Sequence, residues 1–126
     1  PDSIHQDELS AVLHQADILS VHLPLLPETE DIISTKELSL LKPSISIINT
    51  ARGCIVNEPA LYAFLSSNLD SFAAFDVYAE EPAIANPLFR LPNFFGTSHR
   101  SSLTYEGINA MGLAAIAGLD DNNALT

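Results

Sequence analysis

The sequence has little positive charge, one cysteine and no long apolar run. Lysine and arginine number 5 against 16 aspartates and glutamates, which gives a formal net charge of −11. Such a surface repels phosphate backbones and anionic lipids, so we expect neither a nucleic-acid nor a membrane partner. The single cysteine, Cys54, excludes a disulfide framework and a multi-thiolate metal site, so no metal is predicted, and it fits a reducing, cytoplasmic setting. No apolar run approaches the roughly 20 residues of a membrane span.

Apolar segments with strand character alternate with segments of helical spacing. A chain of 126 residues is long enough for one domain. Because it begins with Pro1 and has no initiator methionine, we expect that it has been processed or cut from something longer. The alternation predicts βαβ units and a parallel sheet, hence an α/β fold. The predicted strands cover residues 17–23, 44–49, 72–77 and 94–97, and the predicted helices cover 7–15, 35–41, 58–67 and 101–118. The stretch 78–92 reads as irregular, and Gly118 reads as the cap that ends the last helix.

The stretch 47–53 is the centre of the predicted fold. A β-branched run ends there in a small polar turn that carries Arg52 and Gly53. Ligands of open α/β sheets bind at the carboxyl ends of the strands. An arginine there presents a planar fork suited to a carboxylate, although a solvated strand-end arginine is equally ordinary.

Polar side chains follow the next two strands as well. Asp76 and His99 end those strands, and Glu81 lies five residues beyond Asp76. Parallel strands share one carboxyl edge, so these residues and Arg52 are predicted to converge. His99 would transfer a proton, and Glu81 would orient its ring.

Each of these residues also has an ordinary interpretation. A histidine after a strand is more often a boundary residue than a catalyst. Glu81 alone fits an acidic loop, and Asp76 alone fits a helix or turn cap. Their joint position at successive strand ends is what favours a functional site.

Ordered blocks along nearly the whole chain resemble the D-isomer-specific 2-hydroxyacid dehydrogenases, in the C-terminal half of their cofactor domain. The matching blocks are residues 16–24, 27–29, 41–43, 49–56, 75–77, 80–82, 86–88 and 91–93. The resemblance implies a partial Rossmann-type, doubly wound sheet over residues 1–119, followed by a frayed tail over 120–126. It implies that Arg52 binds the substrate carboxylate, that His99 is the acid/base and that Glu81 is its partner.

The resemblance also implies an NAD or NADP cofactor, a small D-2-hydroxy or 2-oxo acid substrate, and a homodimer formed through the cofactor domain. The positions that would contact the dinucleotide are Leu23, Pro24, Thr29, Thr50, Ala51, Arg52, Asp76 and His99, with Asp76 near the nicotinamide carboxamide. The sequence departs from the family around the histidine, where the usual preceding proline is Ser98 and the usual small following residue is Arg100.

The glycine-rich dinucleotide fingerprint is missing from the chain. With the usual strand order 3-2-1-4-5-6, we expect the first two strands of the domain to lie before Pro1. The strand over 17–23 should then lie about 14 Å from the strand over 44–49, across two missing strands, unless it is displaced, re-paired or completed by another chain. Alone, the chain should bind dinucleotide poorly and catalyse nothing measurable.

Two function classes remain open. The first is an oxidoreductase that transfers a hydride between a nicotinamide cofactor and a 2-oxo or 2-hydroxy acid. The alternative is a dinucleotide-sensing, corepressor-like binding module with the same fold. A generic doubly wound signalling domain would leave the joint presence of Arg52, Asp76, Glu81 and His99 unexplained.

Overall fold

The computed structural model describes residues 7–122, with side-chain burial up to residue 119. Helices and strands alternate along the chain. The helices are α1 (Leu9–Gln15), α2 (Thr35–Leu38), α3 (Glu58–Ser67) and α4 (Tyr105–Asn122), with a 3₁₀ turn at Pro87–Arg90, and the strands are β1 (Ile18–Val21), β2 (Ser46–Asn49), β3 (Phe72–Phe75) and β4 (Phe94–Gly96). The α/β class predicted from the sequence is confirmed.

The four strands form one continuous parallel sheet in the order β1-β2-β3-β4. β1 pairs directly with β2, from Ile18 opposite Ser46 to Val21 opposite Asn49. The predicted gap of two strands between them is therefore absent. In the order 3-2-1-4-5-6, strands that are consecutive in the chain are neighbours everywhere except between strands 3 and 4, so that break in the order does not lie between β1 and β2. The sequence interpretation had assigned β1 to the opposite edge.

The core lies between the sheet and the helices that cover it. β2 runs through its middle, with Ile47 fully buried and Asn49 almost so. The burial is confined to one face of the sheet, because Ile18 and Phe72 on the other face are 65% and 42% exposed. The fully buried apolar side chains around it are Leu13, Ile45, Ile55, Leu61, Leu65 and Ala73.

α3 follows the loop that leaves β2. Asn57 caps it by accepting a hydrogen bond from the Ala60 N–H at 2.9 Å, and Pro59 lies in the first turn, where its missing N–H leaves no bond unmade. Leu61 and Leu65, one turn apart, enter the core. This packing fixes where the β2–α3 loop sits on the sheet edge.

The C-terminal helix differs from its prediction at both ends. It begins at Tyr105 instead of residue 101 and continues through Gly118 to Asn122. The Gly118 cap is therefore wrong, because glycine inside a helix costs only about 1 kcal/mol and does not force an end. Residues 120–122 of the predicted frayed tail are helical, and 123–126 lie outside the described residues. No helix in the described part of the chain is long and apolar enough to cross a membrane.

Candidate active site

The carboxyl ends of β2, β3 and β4 lie along one edge of the sheet, because the three strands are parallel and adjacent. Arg52, Asp76 and His99 each follow one of these ends. Glu81 reaches the same edge from the loop after β3. The structure therefore brings the loops that carry all four sequence-predicted residues to one side of the molecule.

His99 and Glu81 form a direct pair. The ring Nδ1 of His99 lies 2.8 Å from Oε2 of Glu81. The other carboxylate oxygen, Oε1, accepts a hydrogen bond from the Tyr78 backbone N–H at 3.0 Å. The bond to His99 is the main reason why the pKa of Glu81 lies below its usual value, and the Tyr78 bond lowers it further. An ionised Glu81 needs the proton on Nδ1, which leaves Nε2 of His99 as the nitrogen for proton exchange.

The pair is accessible to a ligand. The His99 side chain is 48% exposed and that of Glu81 36%. Among the side chains of residues 7–119, Nε2 of His99 has no hydrogen-bond partner. An oriented imidazole with one free ring nitrogen at a cavity is the arrangement that general acid–base catalysis requires.

Asp76 is only 2% exposed, and it holds the turn that carries His99. Its Oδ1 accepts a hydrogen bond from the Arg100 N–H at 2.8 Å, and its Oδ2 accepts one from the Ser101 N–H at 2.8 Å. The Thr97 hydroxyl also donates to Oδ1. Burial raises the pKa of the Asp76 carboxyl, but the bonds from this turn outweigh burial and hold that pKa well below its usual range.

These bonds support an unusual backbone conformation at His99. Its φ is 51°, in the left-handed region that costs a non-glycine residue roughly 1–2 kcal/mol. Backbone strain of this kind persists where the surrounding structure fixes it, and it clusters at functional sites. The Asp76 carboxylate, with bonds to the residues on both sides of His99, provides that support.

Arg52 sits in a loop organised by the buried side chain of Asn49. Asn49 Nδ2 donates to the Arg52 carbonyl at 3.0 Å, and its Oδ1 accepts from the Ala51 N–H at 3.1 Å. The Arg52 guanidinium is exposed and donates to the Ala51 carbonyl at 2.6 Å. In the described residues it forms no hydrogen bond with His99 or Glu81, so the structure does not join Arg52 directly to the acid–base pair.

Gly53 nonetheless packs the Arg52 loop against the loop that holds Glu81. A Cβ on Gly53 would lie 1.9 Å from the Tyr78 carbonyl oxygen, a distance that real Cβ atoms do not show. The Tyr78 N–H in turn binds Glu81. The position of Arg52 is therefore tied to that of the His99–Glu81 pair through backbone contact.

Sequence reasoning missed Glu58, which anchors the loop after β3. Its Oε1 accepts from the Ala79 N–H, and its Oε2 accepts from Asn86 Nδ2, both at 2.6 Å. These partners lie 21 and 28 residues away along the chain. A glutamate in the first turn of a helix is common for reasons of the helix dipole alone, so no local signal pointed to this role.

A cavity of about 710 Å³ opens beside the pair. Its charged and polar residues are Glu81, Thr97, Ser98, His99 and Arg100. The remaining lining is mostly apolar and includes Tyr78, Pro82, Ala83, Ile84 and Phe89. Its volume and mixed lining suit a small organic ligand.

The predicted dinucleotide positions at the ends of β1 and β2 are mainly exposed. Leu23 is 41% exposed, and Pro24, Thr50 and Arg52 are also exposed. The Thr29 hydroxyl is used within its own loop, since it donates to the Pro24 carbonyl at 2.6 Å and accepts from the Leu26 N–H at 2.8 Å. Among the described residues, no group of three histidine, cysteine, aspartate or glutamate side chains lies close enough to hold a metal ion.

Comparison with known proteins shows which family the chain resembles. Residues 2–101 match the model of the D-isomer specific 2-hydroxyacid dehydrogenase, NAD binding domain. The chain belongs to this family. It is 39% identical over 106 residues to D-3-phosphoglycerate dehydrogenase of Methanocaldococcus jannaschii, covering 84% of this chain and 20% of that protein. It is 38% identical over 104 residues to glyoxylate reductase of Thermococcus litoralis, covering 82% and 31%.

Solved structures of the 2-hydroxyacid dehydrogenase family and its relatives superpose on the same fold. An acyclic imino acid reductase in complex with NADPH and D-Arg matches with a TM-score of 0.89 and 31% identity, over 97% of this chain and 39% of that one. That chain is much longer and superposes on nearly all of this one, including β1 and β2. The direct pairing of β1 with β2 is therefore a feature of the fold, and it is not a rearrangement caused by missing strands. The chain spans between a fifth and a third of the length of the two curated relatives.

Proposed function

We propose that the chain is the C-terminal part of the dinucleotide-binding domain of a D-2-hydroxyacid dehydrogenase, and that His99 and Glu81 are its acid–base pair. The reaction is reversible hydride transfer between a nicotinamide cofactor and a small 2-oxo or 2-hydroxy acid. The observation that carries the proposal is the 2.8 Å contact between His99 Nδ1 and Glu81 Oε2 at a ligand-sized cavity. In this assignment residues 1–119 belong to the cofactor domain and the enzyme is a homodimer in the cytoplasm.

The two ring nitrogens of His99 have different tasks in this mechanism. Nε2 donates a proton to the carbonyl oxygen as the 2-oxo acid is reduced, and takes it back when the hydroxy acid is oxidised. Glu81 keeps the proton on Nδ1 and stabilises the imidazolium that exists before reduction. Because Glu81 is also held by the Tyr78 N–H at 3.0 Å, it orients the ring without having to move.

Arg52 binds the substrate carboxylate and helps to polarise the carbonyl. Its exposed guanidinium has one bond within the described residues, to the Ala51 carbonyl, so donors remain for a bidentate contact. The loop that carries it is fixed by Asn49 and by the close approach of Gly53 to Tyr78. The Arg52 backbone is therefore held against the loop that carries Glu81, the partner of His99.

The residues at the ends of β1 and β2 fit a dinucleotide. Leu23, Leu25 and Leu26 expose 41%, 44% and 43% of their surfaces at this edge, which provides an apolar surface for a ring. Leu23, Pro24, Thr29, Thr50, Ala51, Arg52, Asp76 and His99 would line the binding surface. NADH or NADPH would supply the hydride for reduction of the 2-oxo acid, and NAD⁺ or NADP⁺ would accept it in the reverse direction.

Reduction of 2-oxo acids by the complete protein that contains this chain tests the proposal, with NADH and NADPH oxidation followed by absorbance. We expect His99→Asn to lower kcat/KM by about 10²–10⁴-fold, the usual value of general acid–base catalysis. His14→Asn is the matched control, because His14 is an exposed histidine in the last turn of α1. Dinucleotide binding without turnover would overturn the proposal and favour the corepressor-like module.

The chain without the rest of the enzyme is expected to bind NADH weakly and to show no turnover. The described residues form only one side of the sheet of a complete dinucleotide-binding domain. The glycine-rich turn that receives the pyrophosphate is missing from the sequence. Fluorescence titration of the 126-residue chain with NADH measures this. Micromolar affinity would contradict the expectation.

A further inference from the structure

Arg100 places a cationic residue at the cavity that is lined by His99 and Glu81. It lines this cavity one residue beyond the acid–base histidine. Its backbone is fixed, because its N–H donates to Asp76 Oδ1 at 2.8 Å. The origin of the side chain is therefore held in place, while the exposed guanidinium can turn towards a ligand.

The carboxylates of the site do not neutralise this guanidinium. Both oxygens of Glu81 are used, by His99 and by the Tyr78 N–H. Both oxygens of Asp76 are used by groups of the 97–101 turn. Among the side chains of residues 7–119, none forms a hydrogen bond or an ion pair with the Arg100 guanidinium, so its donors are available to a ligand.

Cationic side chains are scarce in this chain. Only 5 lysines and arginines oppose 16 acidic residues, and the lysines Lys36 and Lys42 already pair with carboxylates. The cavity also has an apolar lining, which includes Pro82, Ala83 and Ile84. A ligand that occupies this cavity beside His99 would meet Arg100 as the arginine of the lining.

We propose that Arg100 binds a second anionic group of the substrate, so that 2-oxo acids with a carboxylate or phosphate on the side chain are preferred over those with an uncharged one. This inference rests on the proposed function, because it assigns the reacting end of the substrate to His99 and Arg52. Guanidinium forks bind carboxylate and phosphate by the same bidentate geometry. The shared requirement is a negative charge beyond the 2-oxo acid group.

Two matched substrate pairs test this in the complete protein: 2-oxoglutarate against 2-oxopentanoate for a carboxylate, and phosphonooxypyruvate against hydroxypyruvate for a phosphate. The quantity measured is the ratio of kcat/KM within each pair. We expect Arg100→Ala to lower that ratio by about tenfold to a hundredfold, the loss typical of a charge-assisted hydrogen bond. Arg100→Lys should restore part of it, because charge is kept and the fork is lost.

Arg90→Ala is the matched control, since Arg90 is an exposed arginine of the 3₁₀ turn that does not line this cavity. A ratio that falls in Arg100→Ala for one pair supports the proposal and identifies the anionic group. A ratio that stays constant in both pairs, or that falls equally in Arg90→Ala, overturns it. In that case turnover by the wild-type protein would leave the proposed function intact.

Binding measurements keep the inference testable if no 2-oxo acid is turned over, which would overturn the proposed function. The probes are 2-hydroxyglutarate and 2-hydroxypentanoate, and the readout is the NMR signal of the labelled His99 ring. Tighter binding of the dianion that is lost in Arg100→Ala supports recognition by Arg100. Equal binding of the two probes, or binding of neither, overturns it.

Discussion

Replacement of Asp76 by asparagine separates the charge of this side chain from its shape. Asp76 accepts hydrogen bonds from the Thr97 hydroxyl and from the N–H groups of Arg100 and Ser101. An asparagine keeps one acceptor oxygen, but it turns an NH₂ group towards a donor and removes the negative charge. At least one N–H or O–H of the 97–101 turn then loses its acceptor in a part-buried position.

The size of the effect follows from these contacts. A hydrogen bond to a charged group contributes about 1.5–3 kcal/mol, and the bonds that remain weaken to those of a neutral acceptor. We expect Asp76→Asn to lower the free energy of unfolding by about 2–4 kcal/mol at neutral pH. The left-handed backbone at His99, with a φ of 51°, loses its support in the same variant.

The stability difference between wild type and Asp76→Asn should depend on pH in a direction that a loss of packing alone would not produce. The pKa of Asp76 is lowered in the folded chain, so its stabilisation is fully present above the unfolded value, which is about 3.9. It is lost as the pH falls through the lower, folded pKa. The difference between wild type and Asp76→Asn should therefore be largest near neutral pH and shrink in acid.

Urea unfolding followed by circular dichroism, repeated from neutral to acidic pH, measures both quantities. Asp70→Asn is the matched control, because Asp70 is an exposed aspartate in the turn before β3. A variant Asp76→Asn as stable as Asp70→Asn at neutral pH would refute the reasoning. So would a difference that stays constant as the solution is acidified.

Other substitutions and titrations test the contacts that build the site. Gly53→Ala should lower the free energy of unfolding, measured with urea, by about 1–3 kcal/mol or more, because its Cβ would lie 1.9 Å from the Tyr78 carbonyl oxygen. Gly112→Ala is the control: a Cβ there has no atom within 4 Å, so this variant in α4 should be neutral or stabilise the helix by up to about 1 kcal/mol. Glu58→Ala should speed amide hydrogen exchange over residues 79–86, while exchange in the sheet stays slow. Exchange over residues 79–86 that is as slow in Glu58→Ala as in the wild-type protein would contradict the anchor role. Burial raises the pKa of Tyr78 to about 12, so ultraviolet titration should show one tyrosine that ionises at high pH, and Tyr78→Phe should remove this step. The neutral Tyr78 should stabilise the fold below about pH 10 and lose that contribution as the pH rises through about 12.

The parts of the structure that sequence reasoning predicted are those with a local or periodic signal. Short apolar runs predicted the four strands, and helical spacing with Pro59 in the first turn predicted α3. The common edge of Arg52, Asp76 and His99 followed from one topological rule, that parallel strands end on the same side. The contact of Glu81 with His99 was proposed on the same ground, and the structure has it at 2.8 Å.

The parts that were missed depend on which distant residues meet. Strand order is set by pairing across the sheet, and nothing in residues 17–23 alone distinguishes a neighbour of β2 from a strand at the far edge. The support of the 97–101 turn by Asp76 joins residues 21 to 25 positions apart, and the Glu58 contacts span 21 and 28. Such non-local hydrogen bonds leave no pattern in a single sequence.

The most direct test of the central claim is a double-mutant cycle on Glu81 and His99, measured as kcat/KM for reduction of a 2-oxo acid by the complete protein. If Glu81 acts by orienting the His99 ring and stabilising its charge, Glu81→Gln alone should lower kcat/KM markedly, and His99→Asn alone should lower it further. The double variant should then be no slower than His99→Asn, because groups that act as a unit are strongly non-additive. Losses that add in free energy would show that the two side chains act independently and would contradict the account.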